Sequence, residues 1–300
     1  MSVLLTSYNH LPYLKQAVQS VQDQIFRDFE LIILDDGSTD GSREWIQQEV
    51  SDARVFFSPS NLGTYGILNQ GLAIATGEWI AVLNDDDLWK PGKVEAQMAL
   101  ADAEPRLGLI GACGDFIDEA GQTIEANYGN VYQPLPPQDA FTTLILENVF
   151  ITSSVLFRRS ALGNETKFDD SLYGLGDHDL WLRIAEHWWC AKAEGDWVSY
   201  RFHGAQASKR EARMVEETER LEERTYRDRG RILKDRPTPE MRSALALLCS
   251  RVGTQRMWRG DRAGAREAYG ASLELDPKRK KTKLRLVLTV LPPSLFKRLR

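Results

Sequence analysis

The sequence EWIAVLNDDD at residues 78–87 gives the clearest indication of the architecture. Five apolar residues in a row, 79–83, predict a short strand buried on both faces, as in a parallel sheet. Three carboxylates follow directly, and the first basic residue after them is Lys90. Open α/β sheets bind ligands at the carboxyl ends of their strands, so this cluster fits a divalent cation, and oxygen ligands favour Mg²⁺ or Mn²⁺. An aspartate that caps a helix beginning near Pro91 explains the cluster equally well.

The segments before this strand alternate between strands and amphipathic helices. We expect strands at residues 2–6, 29–34 and 54–57, and helices at residues 11–24, 42–50 and 63–75. This alternation predicts βαβ units, a parallel sheet and right-handed crossovers. Polar clusters end three of the strands, and we expect them to lie together at one edge of the sheet: residues 6–9, 35–40 and 84–87.

The remainder of the chain divides into an irregular middle and a helical end. In the middle we expect helices at residues 91–103 and 180–189, strands at 107–113 and 151–157, a turn at 118–121 and a proline-rich loop at 133–138. From residue 211 onward, dense charge at helical spacing predicts helices without strands, one of them at residues 262–275. This change in composition and periodicity predicts two domains, residues 1–210 and residues 211–300.

Charge is distributed unevenly along the chain. Residues 1–200 carry 30 acidic and 12 Lys or Arg residues, whereas residues 201–300 carry 13 and 26. The acidic body argues against a nucleic-acid partner. Residues 278–300 contain nine basic residues, no acidic ones and several interleaved apolar ones. This tail predicts either peripheral contact with an anionic membrane surface or a basic terminus that is solvated, frayed or packed on the body.

The cysteine pattern and hydropathy indicate the compartment. Cys113, Cys190 and Cys249 lack the close spacing of a zinc site or a disulfide framework, which suits a reducing cytoplasm. No signal-peptide pattern precedes residues 2–5, and no apolar run reaches the roughly 18 residues that cross a bilayer. We therefore expect a cytoplasmic location, at the inner face of the membrane if the basic tail binds lipid.

An ordered set of motifs in the first 210 residues resembles the family 2 glycosyltransferases, which have the GT-A fold. The matching segments are VLLTSYN (3–9), DDGSTDGS (35–42), NLG (61–63), NQG (69–71), TGE (76–78), NDDDLW (84–89), SSVLFR (153–158), DHDLWLR (177–183) and YRFH (200–203) with Ser208. Each segment alone is weak, but their order is specific. The resemblance implies an α/β GT-A (Rossmann-like) fold, with a mostly parallel central sheet flanked by helices and an α-helical C-terminal extension.

The resemblance also implies an activity. It is the metal-dependent, inverting transfer of a sugar from a nucleoside diphosphate sugar, UDP-sugar by preference, to a hydroxyl acceptor. The expected setting is the synthesis of a bacterial surface polysaccharide or another glycoconjugate. The implied cofactor is Mn²⁺ or Mg²⁺, and the implied partners are the nucleotide-sugar donor and a sugar or glycoconjugate acceptor.

The same resemblance assigns residues to the donor site. Thr6, Tyr8 and Asp36 are expected to contact the nucleobase and ribose of the donor, with the Tyr8 ring stacked on the nucleobase. The Asp36 carboxylate can accept a hydrogen bond from a uracil N–H, which an apolar side chain cannot do. Asp85 is expected to contact the ribose or to serve as a second metal ligand. Ordinary packing of the tyrosine, and turn or helix capping by the aspartates, are the alternatives.

A diphosphate that approaches an acidic site needs a bridging cation, with Asp86 as the first choice of ligand. The resemblance implies that His203 completes this metal site. His203 is also explained as a structural histidine. Asp87 is expected to support the ligands or to cap a helix. Family members often have an acidic residue where this chain has Asn84, so we do not count Asn84 as a ligand.

Asp177 is the candidate general base, placed to take the proton of the acceptor hydroxyl on the face opposite the leaving nucleotide. Family members usually have Glu-Asp here, whereas this chain has Gly176-Asp177. The hydroxyls of residues 152–154 either lie near the acceptor or simply pack within a strand.

Two other functions remain open. A catalytically degenerate GT-A protein that serves as an adaptor or merely binds a nucleotide sugar is consistent with Asn84 and Gly176. A nucleotidyltransferase also combines an α/β sheet with carboxylates and a metal. That class commonly has a basic, glycine-rich loop for a triphosphate, and residues 6–13 contain neither Gly nor Lys.

Overall fold

The structure is a computed structural model of the chain and describes residues 1–125, 133–163, 167–204 and 211–290. Its internal contacts form two compact units. The first unit comprises Met1–Leu144 and Asn148–Arg213, and the second comprises Ile145–Glu147 and the chain from Met214 onward. None of the helices in these described ranges combines the length and apolarity needed to cross a membrane.

The first unit contains ten strands and six helices in its described part. The strands are β1 Ser2–Ser7, β2 Glu30–Asp35, β3 Ala53–Phe57, β4 Trp79–Leu83, β5 Leu88–Trp89, β6 Leu107–Ile117, β7 Thr123–Ile124, β8 Leu135–Gln138, β9 Leu156–Arg158 and β10 Trp189–Arg201. The helices are α1 Leu11–Gln22, α2 Ser42–Glu49, α3 Thr64–Ile74, α4 Lys93–Ala103, α5 Phe141–Leu144 and α6 Gly176–Ala185. Two 3₁₀ turns complete the unit, Thr152–Ser154 and Arg159–Leu162.

The strands form one sheet in the order β3-β2-β1-β4-β9-β6-β10-β5, with β7 beside β6 and β8 beside β10. The pairs β3–β2, β2–β1, β1–β4 and β6–β10 are parallel, whereas β9 runs antiparallel to both of its neighbours. Strands β1 and β4 are buried along their whole length, which explains their continuous apolar sequences. The predicted fold, a mostly parallel sheet flanked by helices, is confirmed.

Register brings the functional segments to one edge. Ser7 of β1 pairs with Asp35 of β2, and Leu5 of β1 pairs with Leu83 of β4. The three strands are parallel, so the polar residues that follow each of them emerge on the same side.

The strand predicted at residues 151–157 is wrong in its first half. Thr152–Ser154 is a 3₁₀ turn, and only Leu156–Arg158 is a strand. The Ser154 hydroxyl donates to the Ile151 carbonyl at 2.7 Å, and the Ser153 hydroxyl donates to the Asp87 carboxylate. Side-chain hydrogen bonds of this kind compete with the strand ladder, which explains the turn.

The loop predicted at residues 133–138 contains strand β8. Both prolines in Leu135–Gln138 are tolerated because β8 pairs antiparallel with β10 only through Leu135 and Gln138. The helix predicted at residues 180–189 begins earlier and ends earlier, at Gly176–Ala185, with two aspartates in its first turn. Strand β10 was missed, because its sequence is interrupted by EGD at residues 194–196, where the pairing with β6 shifts register.

The second unit is helical, as predicted, with α7 Glu211–Asp235, α8 Pro239–Trp258, α9 Arg262–Leu275 and α10 Lys280–Leu288. The bounds predicted for α9 are confirmed, and the Asp261 side chain caps its first turn by accepting from the Gly264 N–H. Small residues let α8 and α9 approach closely: a Cβ at Gly253 would lie 2.6 Å from the Tyr269 ring. Charged pairs such as Arg256 with Glu223 join α7 to α8.

Glu30 ties the start of β2 to its surroundings. One carboxylate oxygen accepts from the Ser2 hydroxyl at 2.7 Å and from the Thr76 N–H and hydroxyl at 2.6 Å each, and the other accepts from Arg54 at 3.0 Å. Burial alone would raise the pKa of Glu30, but these hydrogen bonds outweigh it and lower the pKa to about 2.

We expect Glu30→Gln to lower the free energy of unfolding by about 1–2 kcal/mol at neutral pH, because hydrogen bonds to a charged acceptor are lost. A depressed carboxyl pKa contributes stability that is present above the unfolded pKa of 4.5 and is lost as the pH falls towards 2. The difference in the free energy of unfolding between Glu30→Gln and the wild type should therefore shrink as the pH is lowered from 5 to about 2. Urea unfolding followed by tryptophan fluorescence at several pH values measures it. The exposed Glu49→Gln is the control, and a pH-independent difference would contradict the assignment.

Candidate active site at the carboxyl edge of the sheet

The ends of β1 and β4 are joined directly by side chains. The Thr6 hydroxyl donates to the Asn84 amide oxygen at 3.2 Å. The Tyr8 N–H donates to the Asp85 carboxylate at 2.8 Å. The Tyr8 ring itself is 44% exposed, so its face is available to a flat ligand. Three of the residues predicted for the donor site therefore lie beside one another.

The end of β2 joins the same edge through Asp36. Its N–H donates to the Ser7 carbonyl at 2.8 Å. Its carboxylate accepts the backbone N–H groups of Leu62 at 2.6 Å and Gly63 at 2.9 Å, which fixes the loop before α3. Burial raises the pKa of Asp36, and the two backbone hydrogen bonds only partly oppose it. Each oxygen keeps further acceptor capacity beyond these two hydrogen bonds.

Asp85 is buried and is held by the loop after β1. Besides the Tyr8 N–H, it contacts the His10 ring, with 3.2 Å between Nδ1 and Oδ1. Burial raises the pKa of Asp85 to about 6, and the hydrogen bond with His10 limits this rise. The pKa of His10 is raised in turn by its bond to Asp85. Sequence reasoning missed His10, although it directly follows the SYN motif.

Asp86 and His203 form a contact pair. The distance between His203 Nε2 and Asp86 Oδ2 is 2.9 Å. His203 is buried, whereas 18% of the Asp86 side chain remains exposed. The His10 ring packs edge-on against the His203 ring, with centroids 5.2 Å apart. Although 117 positions separate them in sequence, the two predicted metal ligands are thus adjacent.

Arg201 fixes the backbone of the carboxylate segment. Its buried guanidinium donates to the carbonyls of Asp86 at 2.8 Å and Asp118 at 3.1 Å and to the side-chain oxygen of Gln16 at 2.9 Å. Its N–H donates to Asp87 Oδ1 at 2.9 Å. Sequence reasoning missed this role, because a single arginine in a strand carries no signal of its distant partners.

Asp87 is a buried structural anchor. It accepts from the Ser153 hydroxyl and from the Arg201 N–H. Burial and the neighbouring Asp86 raise the pKa of Asp87 well above its usual value. The same Ser153 hydroxyl accepts the Asn84 N–H at 3.1 Å, so one side chain ties the 3₁₀ turn to the end of β4. This agrees with the supporting role expected for Asp87.

Asp177 lies in the first turn of α6 and is buried. Its carboxylate accepts from the Thr152 hydroxyl at 2.7 Å, from the Tyr65 hydroxyl at 3.3 Å and from the Asn148 amide at 3.4 Å. Burial raises the pKa of Asp177, and the hydrogen bond from Thr152 partly opposes the rise. A Cβ at Gly176 would lie 2.6 Å from the Tyr65 ring, so that ring occupies the space beside the base candidate.

The 3₁₀ turn connects Asp177 with the carboxylate segment. Thr152 bonds to Asp177, and the next residue, Ser153, bonds to Asp87. Sequence reasoning left open whether residues 152–154 serve the acceptor or pack in a strand. The structure shows that Thr152 and Ser153 each donate to a carboxylate, whereas Ser154 donates to the Ile151 carbonyl. Ser208, the last residue of the matched motifs, lies outside the described residues.

The residues of this edge fit a divalent cation that is shared with a ligand. Across the described ranges, no group of three or more His, Cys, Asp or Glu side chains is arranged as a metal site. Asp86 and His203 supply two ligand atoms, and Asp86 is partly exposed. Magnesium and similar ions are commonly held by one or two carboxylates together with substrate phosphates, so a two-residue site is sufficient.

This fold, with a carboxylate cluster at the carboxyl edge of its sheet, defines a glycosyltransferase of the GT-A class. The sequence model of glycosyl transferase family 2 matches residues 2–164, more than half of the chain, and the chain therefore belongs to that family. The family resemblance inferred from the motifs is confirmed. The match tests no individual site residue, and Asp177 and His203 lie beyond the matched segment, so the roles of all the site residues remain predictions.

Known proteins support the family assignment. An uncharacterised glycosyltransferase of Nostoc sp. is 38% identical over 128 residues, which is 42% of this chain and 39% of that protein. One of Rickettsia typhi is 27% identical over 230 residues, covering 74% of this chain and 70% of that protein. The chain thus spans well under half the length of the first of these relatives.

Solved structures confirm the fold. Staphylococcus aureus TarS (residues 1–349) is 15% identical, with a TM-score of 0.64 over 96% of this chain and 88% of that one. The mannosyltransferase PcManGT of Pyrobaculum calidifontis, solved with GDP-Man and Mn²⁺, is 17% identical, with a TM-score of 0.58 over 96% of this chain and 85% of that one.

We expect Ser153→Ala to lower the free energy of unfolding by about 1–3 kcal/mol, because the Asn84 N–H and the buried Asp87 carboxylate both lose their partner. Ser154→Ala is the matched control, since that hydroxyl bonds only to the Ile151 carbonyl within its own turn. Urea unfolding of both variants tests the comparison. Equal losses in the two variants would show that Ser153 does not brace the carboxylate segment.

Proposed function

We propose that this protein transfers a sugar from a nucleoside diphosphate sugar, UDP-sugar by preference, to a hydroxyl acceptor, with inversion at the anomeric carbon. The observation that carries the proposal is the contact between Asp86 and His203 beside the half-exposed Tyr8 ring. In the proposal, Asp86 and His203 hold the cation that bridges to the donor's diphosphate, and the Tyr8 ring offers a surface for the donor's nucleobase. TarS, which shares the fold, has been solved with UDP-GlcNAc, and this supports the same donor class here.

The donor side consists of groups from three strand ends. In the proposal, the Tyr8 ring stacks on the base, Asp36 accepts a base N–H, and Thr6 contributes to the pocket wall. Asp85 lies one residue from the metal position and serves the ribose or the cation. The hydrogen bonds that already hold Asp36 and Asp85 orient their carboxylates before the donor arrives, which reduces the entropy cost of binding.

Asp86 and His203 would hold Mn²⁺ or Mg²⁺ against the diphosphate. When bound, the cation supplies positive charge that stabilises the departing nucleoside diphosphate. The protein keeps Asp86 in place by the Arg201 bond to its carbonyl, and keeps His203 in place by packing against His10. Both proposed ligands are therefore held by neighbouring side chains.

Asp177 is proposed to accept the proton of the attacking hydroxyl. Thr152 and Tyr65 point their hydroxyls at its two oxygens, which orients the carboxylate. The burial that raises the pKa of Asp177 also makes it a stronger base once it is ionised. A raised pKa places the active, ionised form at higher pH than for an exposed aspartate.

The acceptor is proposed to be a sugar hydroxyl of a growing surface polysaccharide or another glycoconjugate. This part of the proposal follows the family resemblance. Asn148, Thr152 and Tyr65 surround the base candidate, and we propose that the acceptor approaches along this face.

We expect the purified chain with Mn²⁺ to release nucleoside diphosphate from its donor sugar, and to stop when EDTA removes the metal. Asp86→Ala should weaken calorimetric UDP binding in the presence of Mn²⁺ by about tenfold or more, since a charged ligand is lost. Asp102→Asn, an exposed carboxylate on α4, is the control and should behave as the wild type.

The alternatives predict different results in the same assay. An adaptor with a degenerate fold releases no nucleoside diphosphate from any of a panel of nucleotide sugars. Unchanged UDP binding by Asp86→Ala would refute the proposed metal site. Activity that persists in EDTA would refute the metal dependence while leaving the transferase assignment intact.

We expect Asp177→Asn to keep donor binding and to lose turnover by about 100-fold or more, the usual contribution of a general base. Thr152→Val should raise the pKa of Asp177 further, because the bond from Thr152 lowers it, and should shift the acidic limb of the rate profile to higher pH. Thr152→Ser, which keeps a hydroxyl, is the matched control. Normal turnover in Asp177→Asn would refute the assigned base.

A further inference from the structure

The second unit contains a cavity that the transferase site does not use. Helix α8, helix α10 and the residue before α10 line an open pocket with a volume of about 560 Å³. Five basic side chains line it, and nearly all come from one short stretch of chain: Arg251, Arg279, Lys280, Lys281 and Arg285. We call this cavity the basic pocket.

The charge of the basic pocket is only partly neutralised. Arg251 contacts Glu222 at 3.1 Å, and Arg279 lies 4.0 Å from Asp276. The other three cations have no carboxylate at ion-pair distance within the described part of the chain. The residues that follow, 291–300, contain three further basic residues and no acidic side chain. The pocket therefore carries an excess of positive charge.

Buried hydrogen-bonding groups line the inner side of the pocket. Ser250 and Thr282 are both buried, and their hydroxyl oxygens lie 3.0 Å apart. The Arg285 guanidinium lies 3.4 Å from the Ser250 hydroxyl. The Arg279 Nε is buried and has no hydrogen-bond partner among the described residues. A buried donor without a partner costs free energy, which an acceptor in the pocket would recover.

We propose that the basic pocket is a binding site for a phosphate group. Phosphate offers several acceptor oxygens and up to two negative charges, which match converging guanidinium, ammonium and hydroxyl donors. Arginine forks favour phosphate and carboxylate geometry over halide ions. The volume exceeds what a phosphate needs, so the pocket has space for an organic part of the ligand beside the phosphate. This site is independent of the proposed transferase activity.

Two sources of phosphate fit this chemistry. One is a soluble phosphorylated metabolite, and the other is the headgroup of an anionic phospholipid. Leu284, Val287 and Val290 are exposed on and just after α10, beside the basic residues of the same helix. An apolar face next to a phosphate site is what a helix at a lipid surface presents. The test must therefore include both sources.

The experiment uses the purified full chain without divalent cations, so that cation-bridged binding at the sheet edge is absent. Calorimetry measures binding of inorganic phosphate and glycerol 3-phosphate. Co-sedimentation measures binding to phosphatidylcholine vesicles with and without phosphatidylglycerol. Lys281→Gln/Arg285→Gln removes two charges from the pocket. Lys278→Gln/Lys283→Gln removes two charges from exposed residues of the same segment that do not line it.

We expect the pocket variant to lose about tenfold or more in affinity and the control variant to stay close to wild type. If the wild type binds inorganic phosphate or glycerol 3-phosphate and the pocket variant does not, the pocket is a site for a soluble phosphorylated metabolite. Binding only to vesicles with phosphatidylglycerol, lost in the pocket variant and in Leu284→Ser/Val287→Ser, identifies a headgroup site. Either result supports the proposal.

The proposal would be overturned if the wild-type chain bound neither the soluble phosphates nor the vesicles that contain phosphatidylglycerol. Equal losses in the pocket and control variants would also overturn it, because they would show only a diffuse charge effect. Thermal unfolding checks that each variant is folded. If the double variant unfolds, Lys281→Gln alone decides the matter, since this exposed side chain makes no packing contribution to the core.

Discussion

The carboxylates of three consecutive aspartates must be kept apart in a poorly solvated site, and the rest of the first unit is built around this requirement. Each side chain has its own partners: the first binds the loop after β1, the second meets His203, and the third accepts from Ser153 and Arg201. Only Asp86 retains substantial exposure. The mutual repulsion is relieved by hydrogen bonds on both flanks, and the middle carboxylate keeps the exposure that the proposed cation site needs.

This arrangement explains why distant parts of the chain are needed at one edge. The parallel pairing of β1, β2 and β4 aligns the strand ends, but it does not supply the donors that hold the aspartates. Those donors come from the loop after β1, from β10, from the segment that follows β10 and from the 3₁₀ turn before β9. A change in any of these segments is therefore expected to act on the site through the orientation of the carboxylates, even without contact with a ligand.

The uneven charge of the sequence has a structural counterpart. The first unit contains the buried and partly buried aspartates of the sheet edge, and the second contains the basic pocket between α8 and α10. Opposite local charge matches the two proposals, which place a cation with a diphosphate at the sheet edge and an unbridged phosphate in the helical unit. The described part of the basic tail, for which the sequence left membrane contact and a solvated or packed terminus open, thus lines a pocket together with α8.

Sequence by itself determined the elements whose signals are local. Alternating apolar segments and turn residues predicted the βαβ order, the shared strand edge and the span of α9, and the motifs identified the family. The tertiary structure alone decided which aspartate is exposed, that His10 and Arg201 belong to the site, and that residues 152–154 form a turn. These features depend on hydrogen bonds between residues 66 to 117 positions apart. Local patterns of hydrophobicity contain no information about such partners, because the free energy of each contact arises only when the folded chain brings them together.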